Sequence, residues 1–116
     1  MNTKIKEINE DEIIFEDGYI LSSHHDTDCC ESHYLGFDDV DECDWKDLQF
    51  DLSNDNFFTR IENYGIQLNA LNNFSLKIPG YGSNNGYYSS DLSLILKGKE
   101  ESPRIYDISD CQVIGN

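Results

Sequence analysis

The stretch EIIFEDGYIL, Glu12 to Leu21, constrains the fold more than any other. Asp17-Gly18 sits between two apolar runs, and this dipeptide is the strongest short-range signal for an antiparallel hairpin. Strands are expected over Glu12–Glu16 and Tyr19–His24. Period-two alternation then puts Tyr19, Leu21, Ser23 and His25 on one face and Ile20, Ser22 and His24 on the other. IKEI (Ile5 to Ile8) precedes the hairpin across the turn-forming residues Asn9-Glu10-Asp11, so the first third reads as a β-meander.

Later segments repeat the pattern. HYLGF, IQLNAL, FSLKI, YYSSDLSLILKG, RIYDI and CQVI are short apolar or alternating runs bounded by Asn, Gly, Pro or Ser. Lys97 to Pro103 reads as a polar hairpin loop. One segment has helical spacing: Phe57, Phe58, Ile61 and Tyr64 predict a short helix over Asn56–Asn63, capped by Ser53-Asn54-Asp55 before it and by Gly65 after it. The expected fold class is α+β: mainly antiparallel β, as a meander, sandwich or partial barrel, with one short helix. Residues 1–116 are expected to form a single β-rich domain, since the length supports one hydrophobic core rather than two. Seven Tyr and six Phe supply aromatic residues for that core.

Charge decides which partners suit the chain. Eight Lys and Arg stand against 23 Asp and Glu, a formal net charge of −15. A surface of that sign repels phosphate backbones and anionic lipid, so direct nucleic-acid or membrane binding is not expected, whereas a cation or a basic protein surface is a natural partner. The acids concentrate in DDVDECDWKDLQFDLSND, which holds eight of them and one Lys. Asp38, Asp39, Asp41, Glu42, Asp44 and Asp47 form the candidate binding surface, with Val40, Trp45, Leu48 and Phe50 as its apolar anchors. The N-terminus lacks the apolar core of a signal peptide, and no run reaches the roughly 18 apolar residues of a membrane span. The expected location is the cytoplasm. Cys29, Cys30, Cys43 and Cys111 form no CxxC pair, so reduced thiols are expected, with a Cys43–Cys111 bridge as the alternative in an oxidising medium.

The densest chemistry lies in HHDTDCCESH, His24 to His33. Imidazole, thiolate and carboxylate are all ligands for first-row metals, and His25, Asp28, Cys29 and Cys30 are the leading candidates for a divalent ion. A Cys-His pair could also act as nucleophile and base, with Asn84 or Asn85 orienting the imidazole. The candidate catalytic set is then His25, Cys29, Cys30 and Asn85, although the surrounding carboxylates disfavour a thiolate. The third account needs no ligand: one cysteine enters the core while Asp26 and Asp28 organise the turn. IPGYGSNNGYYSSDL, Ile78 to Leu92, offers three glycines and the flat surfaces of Tyr81, Tyr87 and Tyr88. It can cradle a small anion or stack a base. A hairpin about Asn85-Gly86, with Tyr87 and Tyr88 opening the next strand, accounts for it better.

Two segments, His25-Asp26-Thr27-Asp28-Cys29-Cys30-Glu31 and Asn85-Gly86-Tyr87-Tyr88-Ser89, resemble the signatures HDxDCCE and SNGYYS of a family of small uncharacterised phage and bacterial proteins. The chain departs from that pattern at Asn84, where the family has serine. The resemblance implies a phage or mobile-element setting, hence the host cytoplasm, and two motifs that meet in space. It carries no known activity. The functional expectation is a non-enzymatic interaction or inhibitor protein directed at a basic partner. The alternative is a metal- or ligand-binding module, or a small Cys/His-dependent enzyme, centred on HHDTDCCESH.

Overall fold

A computed structural model describes residues 2–24, 32–53, 55–72, 75–83, 92–99 and 102–115. In chain order the elements are β1 (Asn2–Ile8), β2 (Glu12–Phe15), β3 (Ile20–His24), β4 (Ser32–Leu35), a 3₁₀ turn (Phe37–Asp39), α1 (Glu42–Trp45), β5 (Gln49–Asp51), a second 3₁₀ turn (Asp55–Phe57), β6 (Phe58–Ile61), β7 (Gly65–Leu68), β8 (Leu76–Ser83), β9 (Ser93–Lys97), β10 (Arg104–Asp107) and β11 (Val113–Gly115). The architecture is mainly antiparallel β with, among the described residues, a single short α-helix, the class read from the sequence.

Local chemistry builds the meander. Asn9 Oδ1 accepts the N–H groups of Asp11 and Glu12 at 2.9 and 3.0 Å, which turns β1 into β2. At the next corner Phe15 N–H donates to the Tyr19 carbonyl, and Gly18 adopts φ +97°, a conformation that side chains resist. Between the hydrogen-bonded pair Phe15 and Tyr19 the turn therefore has three residues rather than the two of a plain Asp-Gly turn. In the larger sheet β3 pairs with β9 as well, giving the order β10-β9-β3-β2-β1-β5. This sheet curls until its two edges are clasped. Arg104 on β10 donates to the carbonyl of Leu52, one residue past β5, and Tyr106 Oη donates to Asp55 at 2.6 Å. The rings of Phe57, Phe58 and Tyr106, 4.9 to 5.7 Å apart, fill the seam beneath.

The second sheet, β11-β8-β7-β6, is organised by β8. Its first half pairs with β7, and its second half pairs antiparallel with β4 and parallel with β11. Both sheets turn apolar faces into one cluster: Ile13, Phe15, Leu21 and Leu94 come from the first, Leu35, Ile66, Leu68 and Ile78 from the second. Trp45, Leu48 and Phe50 are buried and Val40 packs against the cluster, so the acidic segment is pinned by the residues expected to anchor it.

One expectation is corrected. The helix over Asn56–Asn63 is absent: a 3₁₀ turn leads into β6, and β6 and β7 form a hairpin with Ile61 opposite Gly65. Asn63, at φ +63°, makes its turn. Gly65 is therefore the first residue of a strand, not a helix cap. The α-helix lies instead in the acidic segment, where Asp41 is the N-cap and Glu42 and Asp44 face the positive end of the helix dipole. The hairpin expected about Asn85-Gly86, with Tyr87 and Tyr88 opening its second strand, falls outside the described residues. Among the described residues β8 pairs with β4, β7 and β11, whereas β9 pairs with β3 and β10.

Candidate functional site

The glycines of IPGYGS belong to a strand. In the second half of β8 the sequence Gly80-Tyr81-Gly82 alternates bare and aromatic positions, so there one face carries no side chains and the other carries a ring. On the bare face, His33 of β4, in register with Gly82, meets Gln112 at the entry to β11. Gln112 Nε2 donates to the Ser109 carbonyl at 2.9 Å, which turns Oε1, a pure acceptor, toward the imidazole. His33 Nδ1–H donates to it at 2.6 Å, and the two side chains are only 6% and 2% exposed. This buried pair ties β4 to β11 across β8. On the opposite face Tyr34 and Val113 are each in register with Tyr81, and all three are exposed.

Beside this face opens a cleft of about 810 Å³. The β1–β2 turn contributes Glu10, Asp11 and Glu12, the 3₁₀ turn Asp38 and Asp39, β3 Ser22 and Ser23, and β4 and β8 His33, Tyr34 and Tyr81. Among the described lining residues there are five carboxylates and neither Lys nor Arg. Tyr81 Oη donates to Asp39 Oδ2 at 2.5 Å, and that hydrogen bond, helped by partial desolvation, pushes the phenol pKa up to about 12. A Cβ on Gly36 would meet both the Tyr81 ring and the Asp39 carboxylate, so glycine there is what lets them close. Tyr34 and Tyr81 lie with ring centroids 5.5 Å apart at 42°. The arrangement can hold a positively charged group against aromatic faces and several carboxylate oxygens, that of Asp39 held by Tyr81.

The sequence candidates are distributed unevenly around it. Asp38, Asp39, Asp41, Glu42, Asp44 and Asp47 are all exposed, and Asp38 and Asp39 line the cleft. Ligand atoms of Asp41, Cys43 and Asp44 lie within 4.8 Å of one another on the exposed helix. Cys43 is exposed and Cys111 buried, both as free thiols, so the alternative bridge between them is not formed. Burial raises the pKa of the Cys111 thiol. His25, Asp28, Cys29, Cys30, Asn84, Asn85, Tyr87 and Tyr88 lie outside the described residues. The chain ends that bound their segments are described: His24 pairs with Ser93, and Ser32 pairs with Ser83. Segments 25–31 and 84–91 thus start and finish on the same two rungs, one in each sheet. Leu35 N–H, donating to Ser23 Oγ at 3.3 Å, links the two sheets close by.

Glu10–Glu12 and Tyr34 escaped the sequence reading. Three acids in a turn look like solvated turn chemistry, and only the pairing of β4 with β8 puts Tyr34 beside Tyr81. The available signal was the Gly-Tyr-Gly alternation, which fits a strand as well as a loop. Comparison with family models, with curated proteins and with solved structures finds no match.

Proposed function

We propose that this chain is a non-enzymatic interaction or inhibitor protein that docks on a basic protein partner. The observation that carries the proposal is the six exposed acids between Asp38 and Asp47, continuous through Asp38 and Asp39 with a cleft whose described lining has five carboxylates and no Lys or Arg. Their field steers a cationic surface toward that side of the molecule and repels nucleic acid and anionic lipid. The resemblance to small phage and bacterial proteins puts the encounter in a host cytoplasm, where a nuclease or defence component with a basic surface is a fitting target.

The test is binding to a panel of compact basic proteins at rising ionic strength. Affinity should fall at least tenfold between ~0.05 M and ~0.5 M salt as screening shortens the reach of the charges. Replacing the six acids by Asn or Gln should remove most of the low-salt affinity. Equal binding at both salt levels, or full potency after neutralisation, refutes the proposal.

The second reading, a metal or ligand module centred on HHDTDCCESH, is favoured by the two rungs that hold the ends of that segment and of the Asn85-Gly86 segment together. Elemental analysis of untagged protein, with Cys29→Ser and His25→Ala, tests it. Protein free of metal whose function survives both substitutions would leave only the acidic surface.

A further inference from the structure

Tyr34, Tyr81 and Val113 form an exposed row on β4, β8 and β11. Tyr34 is 48% exposed, Tyr81 36% and Val113 50%, although their chain neighbours His33 and Gln112 are buried on the other face. Tyr64, whose carbonyl accepts the Gly80 N–H, is 37% exposed as well. Tyrosines account for little solubility in a chain that carries 23 acids. Tyrosine and arginine are the residues that most often dominate protein interfaces.

The surroundings select the partner's side chain. Tyr34 and Tyr81 share the cleft with its carboxylates, and Asp39 is held in place by the Tyr81 hydroxyl. A guanidinium is flat, so it can lie on a tyrosine ring while its edge makes paired hydrogen bonds to a carboxylate. An ammonium is a compact, strongly hydrated point charge that gains the Coulomb attraction but little of the stacking. We propose that the tyrosine row and the adjoining cleft form a docking face for arginine side chains of an extended basic segment in the partner protein. The inference rests on the acidic docking surface proposed above and adds to it a preference for arginine over lysine of equal charge.

Fluorescence anisotropy with labelled octa-arginine and octa-lysine peptides tests it on the full chain. The unaltered protein should bind octa-arginine about fivefold more tightly than octa-lysine at the same salt, the size expected of an exposed cation–π contact. Tyr34→Ser with Tyr81→Ser should make the two affinities equal, whereas Tyr34→Phe with Tyr81→Phe should keep the preference because the rings remain. Asp38→Asn with Asp39→Asn should weaken both peptides. Equal affinity in the unaltered protein, or an arginine preference that survives loss of both rings in folded protein, overturns the inference but leaves the acidic docking surface standing. If neither peptide binds at low salt, both fall.

Discussion

Replacing Gln112 by leucine removes the bond that holds β4 and β11 on either side of β8. The substitution nearly conserves volume, so the cost comes from hydrogen bonding. It removes the acceptor 2.6 Å from His33 Nδ1–H in surroundings where imidazole and amide are 6% and 2% exposed. It also removes the donor to the Ser109 carbonyl. A buried polar group left without its partner costs about 1–3 kcal/mol, so a loss near the middle, about 2 kcal/mol, is expected. For a chain of 116 residues, an unfolding entropy of about 2.1 cal/mol/K per residue converts this to a fall in Tm of roughly 8 °C. Urea titration supplies the free energy, and His33→Leu with His33→Leu/Gln112→Leu completes a double-mutant cycle. Removing both partners should cost less than the sum of the single changes by at least about 1 kcal/mol. Nitrogen-15 NMR of the unaltered protein should find the Nδ1–H tautomer at His33. Additivity to within about 0.5 kcal/mol, or the Nε2–H tautomer, would refute the pairing and with it the frame assigned to the tyrosine row.

Two predictions concern pH. The Ser109 hydroxyl and backbone N–H, at 2.5 and 3.0 Å, both donate to Asp107 and hold its carboxyl below the ordinary value of 3.8. A lowered folded-state value stabilises the protein above the unfolded pKa and is lost as pH falls through the folded one. Ser109→Ala should therefore flatten the acid limb of a Tm–pH profile below pH ~4, and an unchanged limb would count against the bond. At the alkaline end the Asp39 hydrogen bond raises Tyr81, and burial followed by the Asp55 hydrogen bond raises Tyr106, each to about 12. Raised phenols favour the folded state while protonated, so their contribution is complete below pH 10 and disappears as pH climbs toward about 12. Absorbance titration near 295 nm should lose one late-ionising tyrosine in Tyr81→Phe, whereas Asp39→Asn should shift that component to lower pH.

Turn chemistry was the most legible part of the sequence. Asn9 and Asp17-Gly18 act on their own neighbours within a few bonds, so their effect does not depend on where the rest of the chain goes. The segment from Phe57 to Tyr64 misled for the opposite reason. Its apolar spacing satisfies a helix period, but pairing Phe58 with Leu68 and Ile61 with Gly65 makes a hairpin that buries Phe57 and Phe58 and leaves Tyr64 exposed, and Asn63 takes the positive φ that closes it. Local periodicity cannot weigh a partner strand against a helical turn when the segment is this short. IPGYGS left two readings open for a similar reason: glycines that suit a loop also suit a strand whose bare positions receive His33 and Gln112, and those residues are distant in sequence.

Alternating short runs, tight-turn residues and a large excess of acids determined from sequence alone that this chain is β-rich and strongly negative. Those properties are sums of local terms and formal charges. Which strands share a sheet, which acids share a cleft, and that Tyr34, Tyr81 and Val113 form one exposed row were decided only by tertiary structure. Strand pairing is a non-local choice, settled by burying the apolar faces of both sheets in one core and by satisfying His33 with Gln112 across the width of β8.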